Sequence, residues 1–423
     1  MRRLILGGGG CQLNLIRRAK ERGEFVIVAD YLKNCPGAAL ADAHAKVSTF
    51  DAEGVLRAAR EFKAQSVVTL GTDQPVLTAA RVAEALKLPF YVDVHTALAV
   101  TNKRVMKSLF LEHGIPTLNY VLLAADFDEA ELKSFRFPAV LKPVDSQGQR
   151  GIFRVESIAE VKRHIAETLS FSREDRALLE EFYPNDEITV NGWLDKGRLT
   201  VLSVVDRVTI KNTKHIGICL CHNFPSVHLK RYHGEITALT ERIVRAFKLE
   251  NGPIYFQYLV GDRGIKVNEI AARIGGAYED LTLPHIAGID ALSLLLDLTG
   301  IGRCDTGALE GYDMMKRGRF VSTQLYFFKP GRLASVTPDA AMLACPGVLH
   351  AKGFYCAGDT VPETENATAR AGYLIVEGSG FKNMLQNVND AFLHMKALDP
   401  MGNDLVIRYE DYPDKYLFAD PNA

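Results

Sequence analysis

No uncharged apolar run in this sequence reaches the roughly 18 residues that a membrane-spanning helix needs, so no such helix is expected. Ahead of the first glycines only Leu4, Ile5 and Leu6 are apolar, too few for the core of a signal peptide. Neither sign of charge is in excess. Lys+Arg number 50 and Asp+Glu 51, a net charge of −1, so the electrostatic footprint of a nucleic-acid or anionic-membrane binder is missing. Cysteine is sparse: Cys11, Cys35, Cys219, Cys221, Cys304, Cys345 and Cys356 are scattered, odd in number and without a C-x-x-C pair. Cys219 and Cys221 have no His or Cys partner downstream at zinc spacing. Free thiols in a reducing cytoplasm are the expectation. Asn366-Ala367-Thr368 fits a glycosylation triplet, but in a cytoplasmic chain it reads as a loop. Nor is there a Ser/His/Asp or Cys/His pattern that would carry nucleophilic catalysis.

What remains is ordinary globular material: 423 residues, 47% hydrophobic and 24% charged, enough for two to four domains. Leu4–Leu6 leads through Gly7–Gly10 into an amphipathic helix over Leu13–Lys20. Strand Phe25–Val28, a helix near Asp51–Phe62, strand Ser66–Leu70, a helix at Val76–Leu86 and strand Phe90–Val92 follow. Short apolar strands alternating with helices predict a doubly wound parallel sheet over residues 1–98. A helix over Lys103–His113, stopped by Gly114 and Pro116, opens a second block, 99–302. Its strands are expected at Ala139–Lys142, Leu178–Phe182, Ile188–Leu194, Leu199–Asp206, Ile254–Leu259 and Ile265–Ile270, with helices at 158–169 and 291–298. A third region, 303–423, carries strands Gln324–Phe328 and Gly372–Gly378, a helix over Phe381–Leu393 and a surface tail from Tyr409.

Four groups of residues suggest chemistry. Gly7–Gly10 with Asp30 at the end of the second strand fits a dinucleotide site, where glycines admit a pyrophosphate. Yet G-x-G-x-x-G would need a glycine where Gln12 stands. Lys142 ends a strand and precedes Ser146, Gln147, Gly148 and Gly151: a fixed positive charge, then a loop whose amides can wrap phosphates; a plain hairpin fits too. In Leu178–Glu187 an apolar strand ends in acids, with Glu180, Glu181, Phe182, Tyr183 and Glu187 suited to a purine and its ribose. Gln257 and Glu269 fall on strands joined by a tight turn, so their oxygens can converge on Mg²⁺. Arg273 with the amides of Gly275 and Gly276 then offers an anion site beside the metal.

In this order the four groups resemble the ATP-grasp superfamily over residues 1 to about 300, most closely its carbamoyl-phosphate-synthetase-like and L-amino-acid ligase branch. The resemblance implies an α/β and α+β fold: an N-terminal doubly wound domain without a dinucleotide, a central ATP-grasp domain and a smaller C-terminal α+β region. It implies ATP and Mg²⁺ (or Mn²⁺) as cofactors. Lys103, preceding the Gly-Ile-Pro turn, matches the first ATP lysine and Lys142 the second. Ser146, Gln147, Gly148 and Gly151 match the phosphate flap, and Glu180, Glu181, Phe182, Tyr183 and Glu187 the adenine–ribose segment. Gln257 and Glu269 match metal ligands, and Arg273 the arginine that steadies an acyl phosphate. Ala271 departs from members with an asparagine there, and leaves the number of metal ions open.

The activity implied is phosphorylation of a small carboxylate by ATP and attack on the acyl phosphate by an amine, with Lys142 and Arg273 catalytic. The partners are then small molecules, with no nucleic acid or membrane, and a homodimer is permitted. Two other enzymes stay open: a bicarbonate-using carboxylase or carbamoyl-phosphate former, and a dinucleotide oxidoreductase. So does an ATP-binding regulatory protein without turnover. The specificity pocket is expected from loops around Cys219–Ser226 and Tyr278–His285.

Overall fold

The structure, a computed structural model, describes residues 1–408 apart from 147, 212–215, 317 and 365. Gln147 and the tail from Tyr409 therefore lie outside the described residues. The chain opens with β1 (Arg2–Leu6), α1 (Leu13–Glu21), β2 (Phe25–Ala29), β3 (Ala43–Ala45), α2 (Ala52–Glu61), β4 (Ser66–Thr69) and α3 (Gln74–Leu86). The strands form a parallel sheet in the order β3-β2-β1-β4. Residues of β1, β2 and β4 are mostly buried, as expected where helices cover both faces, while edge strand β3 is only partly covered. Phe90–Val92, expected as a further strand, forms none. Tyr91 instead sends its hydroxyl to the Ala272 carbonyl at 2.9 Å, and the segment packs the domain onto its neighbour. A helix follows at once, α4 (Val94–Thr101), and runs through residue 98.

Next comes α5 (Lys103–Glu112), capped by Asn102, whose side chain accepts from the Val105 amide at 3.1 Å. A small sheet is built from β5 (Tyr120–Leu123), β6 (Ala139–Pro143), β7 (Phe153–Val155) and β8 (Ala177–Glu181), in the order β5-β8-β6-β7, with α6 (Ile158–Ser170) against it. Then follow β9 (Asp186–Asp195), β10 (Arg198–Lys211), β11 (Ile216–Phe224), α7 (Leu229–Ala246), β12 (Gly252–Gly261), β13 (Gly264–Ala271), α8 (Glu279–Ala287) and α9 (Ala291–Ile301). Three of these were not expected: β11 and α8 fall on stretches read from sequence as loop, and the 18-residue α7 on one given no element.

The last region holds β14 (Phe320–Tyr326), β15 (Gly331–Arg332), β16 (Ser335–Val336), α10 (Asp339–Leu343), β17 (Val348–Gly353), β18 (Thr360–Val361), β19 (Gly372–Gly378), α11 (Phe381–His394) and β20 (Ala397–Leu398). β14 starts and ends earlier than expected, because Phe327 and Phe328 are buried beyond the strand. The large sheet joins the last two regions: its eight strands run β13-β12-β9-β10-β11-β14-β19-β17. One apolar cluster threads all three regions, with Ile5 and Val28, Ile254 and Phe256, and Val321 and Ile375 among its members. Among the described residues no single helix is long and apolar enough to cross a membrane.

Candidate active site

The small sheet closes over the β13 end of the large one, and between them lies a cavity of about 690 Å³. At its inner end the basic residues are held by geometry the sequence partly shows. Lys142 stands on β6 opposite Leu178 of β8, so Glu180, two residues on, shares its face. Lys142 Nζ donates to Glu180 Oε2 at 2.7 Å and to Asn268 Oδ1 at 3.4 Å. Lys103 heads α5, its amide bonded to the Val144 carbonyl at 2.8 Å, which ties the helix to the end of β6. Its ammonium lies 3.2 Å from Glu269 Oε2 and 3.4 Å from the Ser146 carbonyl. Burial opposes charge on Lys103, but Glu269 and Asp73 outweigh it and move its pKa upward.

A third lysine was missed. Lys107, one turn beyond Lys103, is 1% exposed, pairs with Glu180 and donates to Thr117 Oγ1 at 2.5 Å. Burial drives its pKa down despite Glu180. Glu180, expected in the adenine–ribose segment, lines the cavity at the end of β8. It is 3% exposed and clasped by two ammonium groups.

The expected metal ligands face each other. Gln257 on β12 pairs in register with Glu269 on β13, and both line the cavity. The next pair is Tyr258 with Val267, so Asn268 is the extra residue of a β-bulge and lines the same cavity. Its Nδ2 is 3.5 Å from Gln257 Oε1. One carboxylate and two carboxamides converge here, a hard oxygen set that fits Mg²⁺. Burial would raise Glu269, but Lys103, Lys142 and Arg273 pull it down to about 2, so it is a full carboxylate.

Arg273 follows on the same segment, 5% exposed. Its Nε donates to Asp73 Oδ1 at 2.6 Å, its Nη1 to the Ile274 carbonyl at 3.1 Å, and its guanidinium covers the Tyr255 ring at 4.7 Å. Asp73 comes from the N-terminal sheet, just past β4, and was given no role from sequence. The turn that follows needs its glycines: a Cβ on Gly276 would meet the Gly71 carbonyl at 2.4 Å, and one on Gly275 the Glu279 carboxylate at 2.2 Å.

At the outer end lie the segments expected as phosphate loop and purine segment. Ser146 and Gly148 line the cavity, and Gly148 takes φ +73°. Gly151 serves packing instead: it is buried, at φ +67°, and a Cβ would meet Phe171 at 2.7 Å. Glu181, Phe182, Tyr183 and Glu187 all line the cavity. The amides of Glu181 and Phe182 are already bonded, to Asn119 and Pro138 carbonyls at 2.9 and 3.0 Å. Tyr183 is anchored by its hydroxyl, 2.8 Å from the Gly264 carbonyl. Glu187 pairs with Arg207, which also bonds the Gly217 carbonyl at 2.8 Å.

Residues 135–279, which supply most of this cavity's lining, match the ATP-grasp domain family, and residues 324–395 match the L-amino acid ligase C-terminal domain 2 family. The chain carries an ATP-grasp domain. Dapdiamide A synthase of Enterobacter agglomerans is 23% identical over 356 residues, 78% of this chain and 81% of that protein. The L-amino acid ligase of Bacillus licheniformis shares the fold at TM-score 0.78 and 17% identity, over 94% of this chain and 98% of that one. Phosphoribosylglycinamide synthetase from Anaerococcus prevotii does so at 0.73 and 18%, over 94% and 99%.

Two further expectations lie around the ATP-grasp domain. The glycine turn of the N-terminal domain is closed on itself: the amides of Gly7, Gly8 and Gly9 donate to Ala29 O, Asp30 Oδ2 and Gln12 Oε1 at 2.9, 2.9 and 3.1 Å. Asp30 and Gln12 therefore stand where a pyrophosphate would need donors. The segments expected as specificity loops are β11 and α8, so that side of the ATP-grasp domain is walled by regular structure. There His222 Nδ1 lies 3.0 Å from Glu279 Oε1, both side chains buried. Burial works against charge on this imidazole, but Cys219 as thiolate and Glu279 raise it to about 9.

Proposed function

We propose that this chain is an ATP- and Mg²⁺-dependent ligase that phosphorylates a small carboxylate and joins it to an amine, releasing ADP and phosphate. The observation that carries the reading is Glu269 set opposite Gln257 and ringed by Lys103, Lys142 and Arg273 at the inner end of the cavity. In-line phosphoryl transfer asks a protein for positioning and for cations around the transferring group, and little else. Lys103 and Lys142 would hold the phosphates, with Ser146 and Gly148 closing over them. Gln257, Glu269 and Asn268 would hold Mg²⁺, whose contribution is to neutralise and orient the phosphate oxygens. Arg273, braced by Asp73, would keep the acyl phosphate in line. Phe182 and Tyr183 would flank the purine, and Glu187 would accept from the ribose. The described cysteines include no disulfide, in keeping with a cytoplasmic enzyme.

The test is trapping. With Mg²⁺-ATP and a panel of amino acids and other small acids, hydroxylamine in place of the amine should yield a hydroxamate together with ADP. Arg273→Lys keeps the charge but loses the planar fork. It should therefore lower hydroxamate yield more than it weakens ATP binding. ADP and phosphate released across the panel without any hydroxamate would refute carboxylate activation.

A further inference from the structure

The connection from α6 to β8, residues 171–176, supplies nothing to the lining of the cavity, yet three points that border the lining are fastened to it. Ahead of the phosphate loop, Asp145 Oδ1 accepts from Ser172 Oγ at 2.6 Å, and both its oxygens accept from the Arg173 amide at 3.2 Å. Behind that loop, Gly151 packs on Phe171, and its carbonyl accepts from Thr168 Oγ1 in the last turn of α6 at 3.1 Å. The third point is the start of α5. Glu174 Oε1 accepts from Asn102 Nδ2 at 2.6 Å, and its two oxygens also take Arg104 Nε at 2.8 Å and Nη2 at 3.2 Å. The Glu174 amide donates to Ser172 Oγ at 3.1 Å, so the fastenings are joined to one another.

These contacts close a ring. A carboxamide has one donor end and one acceptor end. With Nδ2 claimed by Glu174, Asn102 turns Oδ1 to the Val105 amide and caps α5. Lys103 is the first residue of that helix, and its amide reaches the Val144 carbonyl, next to Asp145. From Asp145 the ring returns through Ser172 to Glu174. The helix that carries Lys103 and the loop that carries Ser146 and Gly148 are thus spaced from outside the cavity. Arg173 extends the frame to the N-terminal domain, its guanidinium 3.6 Å from the Phe50 ring centre.

We propose that Glu174 is a positioning residue for the nucleotide: through Asn102 and Ser172 it sets Lys103 and the phosphate loop at the separation that the phosphates of ATP require. It touches neither nucleotide nor metal. The inference rests on reading the cavity as an ATP site and adds to it a residue outside the lining.

Reversing the polarity of one hydrogen bond tests this. Asn102→Asp keeps an oxygen for the Val105 amide, since Asp caps as well as Asn, but sets a carboxylate against Glu174. Adding Glu174→Gln puts an amide on the other side, and the pair is bonded again with donor and acceptor exchanged. Binding of Mg²⁺-ATP and of adenosine, which has no phosphates to place, is measured on the full chain by calorimetry, with the melting temperature alongside. Asn102→Asp should weaken Mg²⁺-ATP about tenfold, the effect of losing one charge-assisted hydrogen bond. Adenosine should move by less than about twofold on the same scale. The double variant should bring Mg²⁺-ATP back to within about threefold of wild type, as coupled partners do. Unchanged Mg²⁺-ATP binding in Asn102→Asp would overturn the proposal, and so would a double variant no better than the single one. Equal losses for ATP and adenosine, in step with a lower melting temperature, would show a mere structural prop and overturn it too. Binding needs no carboxylate substrate, so a wild type that binds Mg²⁺-ATP but never yields hydroxamate removes the ligase reading and leaves this test standing. A wild type that does not bind Mg²⁺-ATP removes both.

Discussion

Glu180 carries a negative charge to a place where only its two lysine neighbours make it tolerable, and they in turn depend on it. Lys107 is 1% exposed, so removing the carboxylate strands a buried ammonium. Breaking such a cluster from one side costs about 3–5 kcal/mol when a charge is left buried without a partner. Glu180→Gln should therefore lower stability in denaturant unfolding by about 3 kcal/mol or more and raise the KM for ATP through Lys142. Lys107→Met should cost clearly less, since Glu180 keeps Lys142. Equal losses in the two variants would contradict this account. The sequence marked Lys142 at a strand end, Lys103 by its place before the Gly-Ile-Pro turn, Gln257 and Glu269 on strands joined by a tight turn, and Arg273 beside glycines. Lys107, Asp73 and Asn268 lacked such a setting. Lys107 looks like any solvated helical lysine, and only its spacing of four from Lys103 hints that both face inward. Asn268 faces the cavity only because of a bulge.

The hairpin β12–β13 is where element and chemistry coincide most closely. Its register sets Gln257 against Glu269, so two donors are aligned by backbone hydrogen bonds rather than by loop conformation. Glu269→Gln removes the only charge in the oxygen set and should abolish most of kcat while leaving far-UV circular dichroism unchanged. Gln257→Glu adds charge without altering reach and should be tolerated. Near-full kcat in Glu269→Gln would remove the hairpin from the metal site. The alternation and the Gly-Asp-Arg-Gly turn made this hairpin readable. Two neighbours were not readable for identifiable reasons. β11 has cysteines among its buried residues and no polar alternation, as happens when both faces are covered. α7 repeats Leu229, Ile236, Leu239 and Ile243 on one face, but it starts without a side-chain cap and contains Gly234.

At the scale of the whole molecule the division expected at residue 302 runs through a continuous sheet. β11 pairs with β14 over four residue pairs, and β14 with β19 over seven. A long-range contact ties the other end as well: Arg3 of β1 donates to Thr299 Oγ1 and the Leu296 carbonyl, both at 3.0 Å. Composition gave no sign of this, because a strand added across a boundary looks like any other strand. A chain cut after residue 302 would bare the β11 edge and the apolar faces that Val321, Leu325 and Ile375 cover. It should aggregate or lose its cooperative thermal transition, while the intact chain unfolds in one step by calorimetry. A cut chain that melts sharply would show the last region to be dispensable. Charge shows the same economy throughout. The near balance of 50 basic and 51 acidic residues is repeated inside the cavity, where Lys103 faces Glu269, Lys142 faces Glu180 and Arg207 faces Glu187. A cleft already neutral in pairs attracts neither a lone divalent cation nor a lone polyphosphate strongly, since each must unseat a partner. The polyphosphate that draws Lys103 away leaves Glu269 free for the cation, and the cation that takes Glu269 frees Lys103 for phosphate. On the proposed reading each ligand should raise the affinity for the other by the same factor, and the self-paired cleft should discriminate against either one alone.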